Sequence, residues 1–374
     1  MKRIGLITFH ASDNCGSMLQ TYALQYVLEK KYGQYVEIIN FSNDKQHEMY
    51  SIFVKVRRLR DVLRNVLRLI LYPLLKKEQD GFRKFWKYYN LSKKSYRSNI
   101  ELKELDGKYD TVVCGSDQIW NFQTGDYDDA YVLNFLNKTP KVAYAVSLGQ
   151  AKLNDTSEHK EKYRNLLSDF KAISVREFKS QPLVQSLSKV NVDICLDPTF
   201  LISPDVYYNI MPEKRLIKEK YIFCYAFYYH KQFCDNVLEL SKRLNLPVYM
   251  MDRKQYYIKR VFSTGIKLTP FAGPEAFLNI FKFADMIFTT SFHGTAFSVI
   301  FKKKFWYLNE TGGEGDGRAT SLLRQMNLMQ RYVTPTEIKQ KKNLWEEINF
   351  IDVYNNLEML RKHSFEFIEE NIIK

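Results

Sequence analysis

The 374-residue chain predicts an α/β fold of two domains, each a parallel sheet covered by helices. Two observations predict it. The length exceeds what one ordinary core supports. Short, strongly apolar runs also alternate with helical patterns in two separate series, as parallel strands buried on both faces require.

The first series begins with RIGLIT and a helix over Leu19 to Lys30, followed by YVEIIN, TVVC, KVAYAV, AISV and VDICL. Together these form a first domain over residues 1–204. A stretch at 205–218, rich in turn and charged residues and without clear periodicity, reads as the linker. The second series over 219–340 runs through KYIFCYAFYY, LPVYM, ADMIFTT and KFWYLN, with helices near Cys234 to Leu244, Pro274 to Phe283 and Thr295 to Lys302. The remaining 341–374 segment looks helical and is expected to pack back on the first domain.

Composition narrows the class. Hydrophobic content of 45% and 26 each of Tyr and Phe exclude a disordered chain. Five scattered cysteines, Cys15, Cys114, Cys195, Cys224 and Cys234, show neither CxxC pairs nor zinc spacing, so no disulfide framework or metal is expected. The N-terminal apolar run is too short for a secretory signal, and no stretch approaches ~20 uninterrupted apolar residues. These features predict a cytoplasmic protein. A net charge of +14 favours an anionic partner.

Much of that charge sits in an insertion, Lys55 to Lys77. Lys55, Arg57, Arg58, Arg60, Arg64, Arg68, Lys76 and Lys77 face one acid, Asp61, while Val56, Leu59, Val62, Leu63, Val66, Leu67 and Ile70 recur at helical spacing. Such a helix either lies on the inner face of a membrane as a peripheral contact or packs its stripe on the core. No RNP, helix-turn-helix or zinc motif accompanies the charge, so nucleic acid is not the expected partner.

Three strand-to-helix units carry the candidate chemistry. In FADMIFTTSFHGTAFSVIF a strand from Met286 to Thr290 meets a tight turn through Ser291, Phe292, His293 and Gly294, and a helix opens near Thr295. That places a proton donor beside the unsatisfied N–H groups of a helix start. In TFHASDNCGSMLQTYALQYVL the turn is Asn14, Cys15 and Gly16, with Ser17 as the expected N-cap and Gln20 facing the cleft. In YDTVVCGSDQIWN, Gly115, Ser116 and Asp117 follow a strand directly, with Ser116 able to donate and Asp117 able to accept.

Taken in order, NCGSMLQTYALQ, GSDQIWN, YAVSLG at Tyr144 to Gly149, ISVRE at Ile173 to Glu177, LDPTFL at Leu196 to Leu201, GPEAFL at Gly273 to Leu278, TTSFHGTAFSVIF and GRATSLL at Gly317 to Leu323 resemble the polysaccharide pyruvyl transferase family. The resemblance implies a GT-B-like fold of two Rossmann-like domains facing across a cleft. It also implies transfer of a pyruvyl group from phosphoenolpyruvate onto a sugar as a ketal during surface polysaccharide biosynthesis, with no further cofactor. The acceptor would be lipid-linked or nucleotide-linked.

On that resemblance His293 is the acid or the donor-phosphate ligand that assists its departure, and Asp117 the base or the group that orients the acceptor hydroxyl. Ser291, Gly294, Thr295, Arg318 and Arg176 would bind the donor, and Asn14, Gly16, Gln20 and Ser116 the acceptor. One position departs from the family pattern: Ser291 stands where many members have an arginine two residues before the histidine, so either Arg318 or a lysine from Lys302, Lys303 and Lys304 compensates, or the donor is not phosphoenolpyruvate. The competing readings are a GT-B-type glycosyltransferase using a nucleotide sugar, and a non-catalytic basic protein that binds anionic membrane or nucleic acid.

Overall fold

A computed structural model describes residues 1–150, 157–310 and 317–374. Seven strands form the first sheet: β1 (Arg3–Ile7), β2 (Tyr35–Phe41), β3 (Leu91–Tyr96), β4 (Thr111–Asp117), β5 (Lys141–Val146), β6 (Phe170–Val175) and β7 (Val192–Ile194). Six form the second: β8 (Ile222–Tyr225), β9 (Val248–Met250), β10 (Lys267–Leu268), β11 (Met286–Thr289), β12 (Phe305–Leu308) and β13 (Tyr332–Val333). The helices that bear on the site are α1 (Cys15–Tyr26), α2 (Leu59–Ile70), α3 (Tyr72–Phe85), α4 (Lys231–Leu244), α5 (Pro274–Phe283), α6 (Phe292–Ile300), α7 (Gly317–Gln325) and α8 (Phe350–Ile368).

The strand orders are β3-β2-β1-β4-β5-β6-β7 and β10-β9-β8-β11-β12-β13, and neighbouring strands pair in parallel throughout. Each order reverses once, between β1 and β4 and between β8 and β11. In doubly wound sheets ligands bind beyond the carboxyl ends of the strands at that reversal.

The strands form where the sequence is apolar on both faces: every residue of β4, β5, β11 and β12 is buried. One apolar cluster continues from Leu19 and Ala23 of α1 into Phe277 and Phe281 of α5, so the two sheets share core. The C-terminal α8 returns to the first sheet, where Ser364 accepts from the Leu196 N–H at 3.0 Å and Arg361 donates to the Phe200 carbonyl at 2.5 Å. The fold is GT-B-like, as expected.

Three expectations about elements change. Edge strands β3, β10 and β13 were not foreseen, because LSKKSY is polar and the other two are two residues long. The helix carrying His293 starts at Phe292 with Ser291 as N-cap, so His293, Gly294 and Thr295 lie in its first turn and not before it.

The basic insertion is two helices, α2 and α3, with Pro73 in the opening turn of the second. The apolar stripe of α2 does not pack on the core. Its inward-facing residues are Asp61 and Arg68. Among the described residues no helix is long and apolar enough to cross a membrane.

Candidate active site

The loops after β1, β4 and β11 converge where the two sheets face each other. After β1 the chain enters α1 through Asn14, whose side-chain oxygen accepts from the N–H groups of Gly16 at 2.9 Å and Ser17 at 3.2 Å. Asn14 is therefore the N-cap in place of the expected Ser17. Ser17, released from that duty, donates its hydroxyl to a carboxylate oxygen of Asp117 at the end of β4.

The start of α1 lies against the start of α6. A methyl group on Gly16 would overlap the His293 imidazole, so only glycine permits this approach. On α6, Gly294 is pressed against the Thr289 side chain in the same way. Ser291 makes no side-chain capping bond. The first N–H groups of α6 therefore lack the acceptor that Asn14 supplies to α1.

Behind His293 lies a buried charge cluster. Arg176, at the end of β6, donates to Asp197 at 2.6 Å and to Glu177 at 3.2 Å, and its Nη2 lies 3.6 Å from Asp117. The Phe292 ring covers the guanidinium at 3.9 Å. Burial works against the Arg176 charge, but Glu177, Asp197 and Asp117 outweigh it and hold its pKa raised.

Asp197 accepts from the N–H and hydroxyl of Thr199 at 3.0 and 2.7 Å. Burial pushes its pKa up; His293, Arg176 and the Thr199 N–H more than offset this and hold it below the ordinary carboxylate value. His293 Nε2 is 3.6 Å from Asp197 Oδ2 and has no hydrogen-bond partner among the described residues. The Nε2 side of the imidazole is thus buried toward Asp197, the Nδ1 side lies against Gly16, and the residue forms part of the wall of the small cavity described next.

Two adjoining cavities open at this junction. A small polar one of about 100 Å³ is lined by Asn14, Ser17, Asp117, Ser291, His293 and Arg318 among others. A larger one of about 310 Å³ reaches away between the sheets past Asp13, Arg68, Glu78, Asp252 and Lys254. Asn14, Tyr50, Phe227 and Ser291 border both.

In the larger cavity burial raises the Glu78 carboxyl to about 7, helped by the charges of Asp252 and Asp13 and opposed by the Arg253 N–H. Burial likewise raises Asp13 to about 6, against Arg83 and Lys254. Both carboxyls exchange protons near neutrality.

The structure thus brings together Asn14, Asp117, Ser291, His293 and Arg318, and it sorts the other candidates differently. Gln20 does not face the cleft: it is fully buried, its amide donating to Thr8, Ser17 and Thr21 and its oxygen accepting from the Ser116 N–H at 3.0 Å. Ser116 is equally buried and donates to the Ala145 carbonyl at 2.6 Å. Thr295 gives both its N–H and its hydroxyl to the Ser291 carbonyl.

Arg176 is taken up by carboxylates, because a guanidinium this buried must be paired, and does not reach the cavities. Gly16 meets His293 and not the open space. Sequence reasoning missed Asp197, Ser17, Tyr50, Asp13 and Glu78. Asp197 stands inside the LDPTFL landmark, yet nothing local reveals that it backs a histidine 96 positions away.

Known structures share the fold. MnaA of S. aureus, solved with UDP, is 12% identical over 99% of this chain and 96% of its own, with a TM-score of 0.53. A Listeria monocytogenes protein described as a UDP-N-acetylglucosamine 2-epimerase is 9% identical over 98% and 95%, with a TM-score of 0.54. UDP-N-acetylglucosamine 2-epimerase from Rickettsia bellii is 10% identical over 99% and 98%, at 0.50. At such identities the likeness is one of fold. No curated protein matches the chain significantly. The model of a transferase family does match, over residues 14–311, and the chain belongs to that family, the polysaccharide pyruvyl transferases.

Proposed function

We propose that the protein transfers the pyruvyl group of phosphoenolpyruvate onto two hydroxyls of a sugar carried on a lipid or a nucleotide, in the assembly of a surface polysaccharide. The observation that supports this most is His293 in the first turn of α6, on the wall of the small cavity and beside N–H groups that Ser291 leaves uncapped. An anionic phosphate fits that helix start, and Arg318 on the wall of the same cavity supplies the cation that Ser291 lacks.

The chemistry assigns the remaining roles. His293 gives a proton to the methylene carbon of the donor, which becomes a methyl group, while the first sugar hydroxyl bonds to the neighbouring carbon. Asp117, held by Ser17, takes the proton of that hydroxyl. The carbon–oxygen bond to phosphate then breaks, the second hydroxyl bonds to the same carbon, and its proton leaves with phosphate. Two hydroxyl protons are lost, one appearing on carbon and one on phosphate, so the exchange balances. The acceptor sugar occupies the larger cavity, and Asn14 and Tyr50 stand at the passage between the two.

Thermal melting with phosphoenolpyruvate against UDP-N-acetylglucosamine tests the donor. A ligand at ~100 times its Kd stabilises by about 2.7 kcal/mol. Phosphoenolpyruvate is expected to raise the Tm of the wild type and much less that of Arg318→Ala. Stabilisation by the nucleotide sugar alone would replace this function with glycosyl transfer.

A further inference from the structure

Helix α2 is turned opposite to an ordinary surface helix. Its polar side faces the protein and is held there by specific bonds. Arg68 donates to the Ile52 carbonyl at 3.0 Å, and Asn65 both donates to the Val54 carbonyl at 2.9 Å and accepts from the Val54 N–H at 3.0 Å. Asp61 accepts from the N–H groups of Arg57 and Arg58 at 3.1 and 3.0 Å. The apolar side is left in solvent: Leu59 is 86% exposed, Leu63 69% and Ile70 72%, with Val62, Val66 and Leu67 between them. An i, i+3, i+4, i+7 stripe is normally the face a helix buries, so this one is presented to something outside the fold.

The surrounding charge indicates what that is. Lys55, Arg57, Arg58, Arg60, Arg64 and Lys77 are exposed around the stripe, whereas the acid of the segment, Asp61, is turned inward. Beside it the rings of Phe53 and Tyr72 stack at 5.9 Å, both partly exposed. A second copy of this face would set arginines against arginines, an unfavourable juxtaposition. We infer that α2 is a docking element for an anionic lipid bilayer, its leucine and isoleucine side chains entering the interfacial layer and its arginines meeting the headgroups. The inference is independent of the proposed reaction.

Co-sedimentation with vesicles tests it, using phosphatidylcholine alone or mixed with phosphatidylglycerol. The wild type is expected to pellet with the mixed vesicles and to stay in solution with phosphatidylcholine. Leu63→Glu/Ile70→Glu should weaken mixed-vesicle binding by about tenfold or more, and Arg60→Glu/Arg64→Glu should weaken it most at low salt. Because all four side chains are solvent-exposed, the melting temperatures should stay close to that of the wild type. Equal binding by the leucine/isoleucine variant and the wild type would overturn the inference. So would a wild type that ignores both vesicles, or one that forms a dimer dispersed by that variant.

Discussion

The β1-to-α1 and β11-to-α6 crossings are the same device used in two ways. Each leads from a buried parallel strand at the reversal of its sheet into a helix whose start faces the other domain. At α1 the Asn14 side chain takes two of the free N–H groups, and the helix start is sealed from within. At α6 the cap residue Ser291 takes none, and the adjacent His293 stands on the cavity wall with Asp197 3.6 Å from its Nε2. A fold optimised for stability alone would cap both helices, since a cap contributes typically ~1 kcal/mol. On the proposed function, α1 is a support against which the chemistry is set, and α6 is the place where a ligand completes the hydrogen bonding.

The largest effect should come from the open side. His293→Ala is expected to lower turnover of phosphoenolpyruvate with a sugar acceptor by about 10² to 10⁴, the range for loss of a general acid, and to lower the Tm as well, since the buried Asp197 loses a neighbour. Approached from the sealed side, Gly16→Ala pushes a methyl group into the His293 ring without removing it. A displacement of that kind costs on the order of 10² in rate. Activity and melting measured together check both; wild-type turnover in Gly16→Ala would mean that α1 does not position the histidine.

Glu78, on the wall of the larger cavity beside α1, gives a test by pH. Its carboxyl rises from an ordinary 4.5 to about 7 in the folded protein, so the folded state holds a proton that the unfolded state has released. The resulting destabilisation is absent below pH 4.5, grows as the pH rises toward 7, and is constant above. Glu78→Gln should therefore stabilise the protein by about 3 kcal/mol at pH 8 and by almost nothing near pH 4.5. A gain independent of pH would refute the buried carboxyl. The smallest and most selective test compares the two caps: Asn14→Ala should cost about 1 kcal/mol in denaturant melts and Ser291→Ala only a few tenths. Equal losses would erase the distinction between the helix starts.

The central strands and the helix from Pro274 to Phe283 are legible in the sequence, because burial on both faces leaves runs such as TVVC and MIFT without polar interruptions. The edges are not, since a strand with one bare side, such as LSKKSY, carries the lysines of a surface. His293 is legible from its strand-to-helix unit and from the ordered motifs around it. What holds it is not: Asp197 arrives from another strand end, and Ser17 leaves the expected cap for Asp117 only because Asn14 takes that task. The stripe of α2 is equally plain as a pattern. Which face packs inward depends on bonds from Asn65 and Arg68 to the backbone at Ile52 and Val54, which periodicity does not encode.

The central claim, that the uncapped start of α6 and its histidine act on phosphoenolpyruvate, is tested most directly by mass spectrometry of sugar acceptors with free neighbouring hydroxyl pairs, combined with phosphate release. A product heavier by pyruvate less one water is expected, with one phosphate released per product, and neither with His293→Ala. Product formed at the wild-type rate by His293→Ala, or sugar transfer from a nucleotide donor with phosphoenolpyruvate untouched, would contradict it.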